Sequence, residues 1–375
     1  MKRKVIYFAL AAVIIVSLVL AGCSSAASPA PAKTTAVPPA TSAAPPPSPI
    51  QAAANVIKLK YADQNPKDGW EGTQAAQPWL NQIMAATNNK VQIEPYWAQT
   101  LCKGTDAWEA TKNGVADMAW MFHGYWANKT TLADVLSLPF LPFTSAKQAS
   151  GIFWQLYEKY PTLKDQFKEN HVVLTWTSQP YFLFTSKKQV KTPEDIKGLQ
   201  IRVPGGPPVD IMKQLGASPV SKGMPDTVLA LQKGEIDGMA GPWEAIMSFK
   251  LNEVVKYYTY FPFFTVYFTQ AVNNAKWDSL PKDVQEGIMS VSGLKGSTFW
   301  GENMFDTAVA AGRDLVKKTG TEMIEYTPAG AELEAWVNAT KPVWDIWLNR
   351  MKESGHPEAQ DILNTTQELI KTYKP

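Results

Sequence analysis

Arginine is scarce in this 375-residue chain. Only Arg3, Arg202, Arg313 and Arg350 are present. Arg202 stands out by its setting. Leu199-Gln200-Ile201-Arg202-Val203 reads as a strand with Leu199, Ile201 and Val203 on one face, and Pro204-Gly205-Gly206-Pro207 ends it at once. A guanidinium there, among apolar and Gly/Pro neighbours, can hold a carboxylate with two parallel hydrogen bonds. A surface or interlobe salt bridge is its other use. In open α/β sheets ligands gather at such strand ends. The remaining reactive groups suggest little. His123, His171 and His356 and the two cysteines, Cys23 and Cys102, lie too far apart for a Cys/His zinc cluster. No G-x-S-x-G, H-E-x-x-H, P-loop or dinucleotide glycine motif occurs. A pair of catalytic carboxylates leaves no sequence signature.

Aromatic residues supply the next candidates. Trp120-Met121-Phe122-His123-Gly124-Tyr125-Trp126 ends a strand, which puts Phe122 and His123 near a ligand. Trp70 follows the first strand, and Trp243 follows a later one and could stack on a ligand. Core packing is the alternative for each, and for His123 a satisfied buried hydrogen bond. Trp336, Trp344 and Trp347 read as one helical stripe, and Cys102 as a lone, buried filler.

The elements that must position these residues alternate strand and helix. Val56–Tyr61, Val91–Glu94 and Val115–Met121 read as strands; Pro78–Thr87 and Asp106–Lys112 read as helices. Thr192-Pro193-Glu194-Asp195 opens a short helix that Gly198 stops. Leu280–Gly320 reads as a long helical stretch, bent at its glycines. Lys112-Asn113-Gly114-Val115-Ala116-Asp117-Met118 recurs 120 residues later as Gln232-Lys233-Gly234-Glu235-Ile236-Asp237-Gly238. The pattern implies an α/β protein with mostly parallel sheets in two similar lobes. Apolar residues at 45% allow sizeable cores, and a formal charge of +2 is no nucleic-acid footprint.

The first 54 residues read as address and tether. Lys2-Arg3-Lys4 and the apolar Val5–Leu20 form a signal over residues 1–22. Leu20-Ala21-Gly22-Cys23 resembles the bacterial lipobox, which implies lipidation at Cys23. An uncleaved membrane anchor is the competing reading. Residues 23–54 form a Pro/Ala/Ser-rich tether, with 8 prolines among the 31 residues after Cys23. Cleavage leaves 33 basic against 34 acidic residues, a formal charge of −1.

Ile196-Lys197-Gly198-Leu199-Gln200-Ile201-Arg202-Val203-Pro204 resembles a segment of the tripartite ATP-independent periplasmic (TRAP) transporter solute receptors. Leu132–Phe140, Leu215–Val220, Leu229–Gly238, Asn252–Tyr257 and Trp277–Pro281 resemble further family segments in order. The resemblance covers roughly residues 56–370. It implies two α/β lobes with a ligand cleft between them, joined by crossing segments and a long lobe-spanning helix. Lobe I is expected at 55–179 plus about 268–307, and lobe II at 180–267 plus about 308–375. It also implies an extracytoplasmic receptor, not an enzyme. Such a receptor passes a small organic acid to a membrane permease, with Arg202 on the carboxylate, no cofactor and no nucleic acid. Three departures narrow the ligand. Phe182 stands where many relatives carry a second arginine, Gly241 where many carry Asn, and Met224 where some carry an aromatic residue. The metal-binding Glu-Trp pair of some relatives is missing, so no metal is expected. These changes favour a monocarboxylate with an apolar or aromatic body. A receptor for an ATP-driven importer and a lipid-anchored hydrolase are the alternatives.

Overall fold

The computed structural model describes residues 56–320 and 322–375. The signal, Cys23 and the tether lie outside the described residues. Strands β1 (Ile57–Ala62), β2 (Val91–Tyr96), β3 (Met118–Phe122), β4 (His171–Thr177), β5 (Tyr181–Thr185) and β6 (Gln200–Arg202) come first. Strands β7 (Ser218–Val220), β8 (Gly238–Gly241), β9 (Tyr257–Phe264), β10 (Tyr267–Val272) and β11 (Ile324–Tyr326) follow. They build two sheets, in the orders β2-β1-β3-β10-β4 and β11-β9-β5-β8-β6-β7. Each sheet is the floor of one lobe.

The expected parallel sheets are in fact mixed. In the first sheet β1 runs parallel to β2 and β3, but β10 is antiparallel to β3 and β4. In the second, β5 is antiparallel to both β8 and β9. The cause is the connection between lobes. β4 passes into β5 through Ser178-Gln179-Pro180, and β9 into β10 through Thr265-Val266. Two antiparallel strand pairs therefore run from one sheet into the other. The Ser178 amide donates to the Val266 carbonyl (2.8 Å), and the Val266 amide to Ser178 Oγ (3.0 Å).

The long helical stretch makes the third connection, and it is broken. Short helices at Asn274–Ser279 and Lys282–Ser290 precede it, and Gly293 takes φ +54° at the break. Gly293–Trp300, a π-helical turn at Gly301–Asp306 and Thr307–Thr319 then run on. The first part packs on the helix Ala146–Lys159 and on β4; the last packs on the helix Trp243–Ser248 of the other lobe. The Asp306 carboxylate accepts from the amides of Ala146 (2.7 Å) and Lys147 (2.9 Å), capping the helix Ala146–Lys159.

The recurring unit has the same job in both lobes. Gly114 (φ +74°) and Gly234 (φ +69°) turn the chain out of a helix. Asp117 Oδ2 then accepts from the Lys60 amide (2.8 Å) beside the parallel strand β1. Asp237 Oδ2 accepts from the Gln200 amide (2.9 Å) beside the parallel strand β6.

Four local expectations are corrected. Thr192–Gly198 is a chain of turns, not a helix, because the Asp195 carboxylate folds back on the Lys191 and Thr192 amides (3.1 Å each). The tryptophan stripe is divided between Ala331–Thr340 and Pro342–Glu353. Trp336 packs on Phe261 and Phe263, while Trp347 joins the first lobe's core. The C-terminal helix Ala359–Thr372 lies on Ala146–Lys159 of the first lobe, not on the second, because Ile362, Leu363 and Ile370 complete that core. Cys102 is half-buried at its edge rather than enclosed. Among the described residues no helix is long and apolar enough to cross a membrane.

Candidate ligand-binding site

The ends of β3 and β6 meet where the lobes touch. The Gly205 amide donates to the Gly124 carbonyl (2.8 Å), joining the loop after β6 to the loop after β3. Both positions need glycine. A Cβ on Gly205 would sit 2.7 Å from Ala127 Cβ, and one on Gly124 2.6 Å from Pro204 Cβ. The Tyr125 hydroxyl adds a second tie, accepting from the Met224 amide of the other lobe (3.3 Å) and donating to Gln64 Oε1 (2.9 Å).

Behind these ties lies a cavity of about 30 Å³, roughly the size of a water molecule. Arg202 enters it from the end of β6 and is 2% exposed. Its Nε and Nη2 both donate to the Lys222 carbonyl (3.1 Å each). Those bonds fix one edge of the guanidinium and leave its other N–H donors for a ligand. No carboxylate of the described residues pairs with it within salt-bridge distance. A buried cation without an anion is costly, so an anionic ligand is the natural complement. Trp120, Phe122, Phe268 and Tyr181 form an aromatic wall, with Phe122 stacked on Phe268 at 5.0 Å. Met224, Met239 and Met304 line much of the rest. The Trp120 indole N–H is buried without a partner among the described residues.

The cavity also has an acidic side. Glu244, Gln64 and Asn65 line it, and Asp63 and Glu71 lie buried behind them. Burial pushes the Asp63 carboxyl up to about 7 against the Asn65 and Tyr61 hydrogen bonds (2.8 and 2.9 Å). Burial, then the like charges of Asp63 and Glu244, push Glu71 well above the carboxylate range. Burial raises Glu244 to about 7, although Ser248 donates to it.

Of the residues singled out in the sequence, the structure brings Arg202, Phe122 and Met224 into this one cavity. The others lie elsewhere. Phe182 points to the opposite face of β5 from Tyr181, as the pleat requires, and packs on Trp243 and Tyr260. Trp243 is wholly buried beneath the long helix, with Tyr258 at 5.2 Å and the Arg313 guanidinium over its ring. His123 is 1% exposed, bonds Thr269 Oγ1 (2.9 Å) and stacks on Tyr267; burial lowers its pKa to about 3, so the imidazole is neutral. Trp70 faces a separate surface hollow with Asp314 and Lys318. Sequence reasoning missed Tyr125, Tyr181, Trp120 and Glu244. Strand alternation around Phe182 signalled Tyr181. Glu244 left no signal beyond its place next to Trp243.

Two α/β lobes hinged by crossing strands, closing on a buried arginine, define a solute receptor rather than an enzyme. Residues 62–350 match the bacterial extracellular solute-binding protein family 7, and the chain belongs to that family. Several solved structures resemble it. A TRAP solute-binding protein from Rhodoferax ferrireducens, in complex with copurified benzoate, is 27% identical with a TM-score of 0.79, covering 84% of this chain and 98% of that one. A TRAP periplasmic solute-binding protein from Bordetella bronchiseptica, with bound (R)- and (S)-mandelate, is 27% identical at TM-score 0.78, covering 85% and 100%. A marine metagenome TRAP solute-binding protein specific for aromatic acids, with 3-hydroxybenzoate, is 26% identical at TM-score 0.79, covering 85% and 99%. The chain is therefore an extracytoplasmic TRAP solute receptor.

Proposed function

We propose that this receptor binds an aromatic monocarboxylate and delivers it to a TRAP permease while tethered to the membrane through a lipid on Cys23. One observation carries the ligand class: a buried Arg202, unpaired with any described carboxylate, opens onto a cavity walled by Trp120, Phe122, Phe268 and Tyr181. One guanidinium edge suits one carboxylate. The carboxyl of Glu244 on the same wall repels a second. Benzoate, mandelate and 3-hydroxybenzoate in the similar structures support the reading.

The mechanism follows from the geometry. At about 30 Å³ the cavity is smaller than such an acid, so the lobes part about the 178–180 and 265–266 crossings to take it in and settle around it. Arg202 orients the carboxylate with charge-assisted hydrogen bonds. The aromatic wall gains about 25 cal/mol per Å² of apolar surface buried. Closure remakes the Gly205–Gly124 and Met224–Tyr125 bonds.

Calorimetry with benzoate tests the site. Arg202→Ala should weaken binding by about 100-fold, a loss of roughly 3 kcal/mol. Near-native affinity in the variant, or tighter binding of succinate than of benzoate, would overturn the reading. The tether has its own test. Cys23→Ser should move the protein from the membrane fraction to the soluble one and abolish labelling by a radioactive fatty acid.

A further inference from the structure

The cavity holds two polar features of opposite character, and the reading above uses only Arg202. The second is Glu244. It sits in the first turn of the helix Trp243–Ser248, immediately after β8. It is 4% exposed and lines the same cavity as Arg202. Its position is held from within its own helix: Ser248, one turn on, donates to Oε1. Among the described residues Ser248 is the only donor to it, so the second carboxyl oxygen is free to accept from a ligand. Gln64 and Asn65 flank it on the cavity wall, yet both side chains are engaged, Gln64 by the Tyr125 hydroxyl (2.9 Å) and Asn65 by Asp63 (2.9 Å). Trp120, Phe122 and Phe268 also line the cavity with flat apolar rings.

We infer that Glu244 is a specificity residue for a hydroxyl on the aromatic acid, so that the preferred ligand is a hydroxy aromatic acid whose carboxylate lies on Arg202 and whose hydroxyl donates to Glu244. The inference rests on the aromatic-monocarboxylate reading and deepens it. A buried acceptor left unpaired by the ligand is penalised, and a site built to bond a hydroxyl therefore discriminates strongly against the analogue lacking it. Hydroxyl is favoured over ammonium by the surroundings. Burial raises Glu244 to about 7, so near that pH it offers an ammonium only a partial counter-charge. An ammonium would also lose more hydration than a hydroxyl on entering the closed cavity.

The test is a ligand series measured by calorimetry at one pH on the full globular protein. Benzoate is compared with 3-hydroxybenzoate and 3-methoxybenzoate, and mandelate with phenylglycine, which exchanges the hydroxyl for an ammonium on the same skeleton. At least one hydroxy acid is expected to bind about tenfold or more tighter than its parent, with no gain from the methoxy group and a loss with the ammonium. Glu244→Met should cancel the hydroxyl's advantage, bringing the hydroxy acid and benzoate to similar affinities. Glu244→Gln, which keeps a neutral acceptor, should retain part of it. The wild-type series alone decides the matter should a variant fail to fold. Equal binding of benzoate and all hydroxy acids, with Arg202→Ala still abolishing both, overturns the Glu244 assignment alone. So does a preference for phenylglycine over mandelate. Failure of every acid to bind overturns the ligand class and this assignment with it.

Discussion

In the proposed binding mode Arg202 divides its guanidinium between protein and ligand. The Nε/Nη2 edge is spent on the Lys222 carbonyl, which fixes the plane of the group before any ligand arrives. A lysine at this position has three donors at a single point and cannot serve the carbonyl on one side and a planar carboxylate on the other. Arg202→Lys is therefore expected to recover less than about a tenth of the affinity lost in Arg202→Ala, although the charge is kept. A benzoate titration of both variants checks this, and near-wild-type binding by the lysine form would show that charge alone is being read. Arg202 was legible in the sequence because strand alternation and the Pro/Gly stop fix where its side chain must emerge. Trp243 was not. It immediately precedes Glu244, and consecutive residues in the first turn of a helix point about 100° apart, so one enters the core and the next the cavity. Phe182 and Tyr181 part in the same way on the pleat of β5.

At the scale of elements, the repeated Gly-x-x-Asp unit was the most informative pattern. It predicted two lobes of like construction, and Asp117 and Asp237 indeed tie their strands in the same manner. The antiparallel crossings were invisible, because a strand that changes sheets looks locally like two ordinary strands. The C-terminal helix was misplaced for a similar reason: its apolar face shows that it packs, not on which lobe. The loops after β3 and β6 carry the element-scale prediction. Their contact requires the bare backbone of Gly205, where a Cβ would fall 2.7 Å from Ala127 Cβ and 3.1 Å from the Gly124 carbonyl oxygen. Overpacking of this kind costs ~1–3 kcal/mol. The cost falls on the closed form, since parting the lobes relieves it. Gly205→Ala should thus weaken ligand binding by about 5- to 100-fold, mainly through faster release, and leave the melting temperature of the ligand-free protein nearly unchanged. Stopped-flow release together with a thermal melt separates the two effects. An equal loss of stability and affinity would place the damage inside a lobe instead.

For the whole molecule, the decisive quantity is how many protons folding takes up. Folding buries carboxyls that water would otherwise keep ionised. Asp134, which accepts from the Tyr267 hydroxyl (2.8 Å), faces the Asp210–Arg350 ion pair (2.9 Å), and burial raises it from 3.8 to about 8. Asp63 and Glu244 are raised to about 7, and Glu71 well above its ordinary 4.5. A carboxyl with a raised pKa holds its proton in the folded protein over a range where the unfolded chain has released it. Its stabilisation is complete below about pH 4 and is lost as pH climbs through the folded value. Buried His123, lowered to about 3, and His171, also lowered, work the other way below their ordinary 6.5. Four carboxyls outweigh two imidazoles between pH 5 and 6.5, and above 6.5 nothing in the histidines opposes them. The ion-paired carboxylates lowered to about 2, Glu169 and Asp195, lose their contribution only in stronger acid. The melting temperature of the ligand-free receptor is therefore expected to fall by roughly 5 °C or more from pH 5 to pH 8. Asp134→Asn, which removes one of these protons and keeps an acceptor for Tyr267, should flatten the upper part of that decline. Calorimetric melts across the range decide it. A melting temperature that is constant or rises toward pH 8 would mean that the buried carboxyls stay ionised beside cations, and that folding takes up no protons.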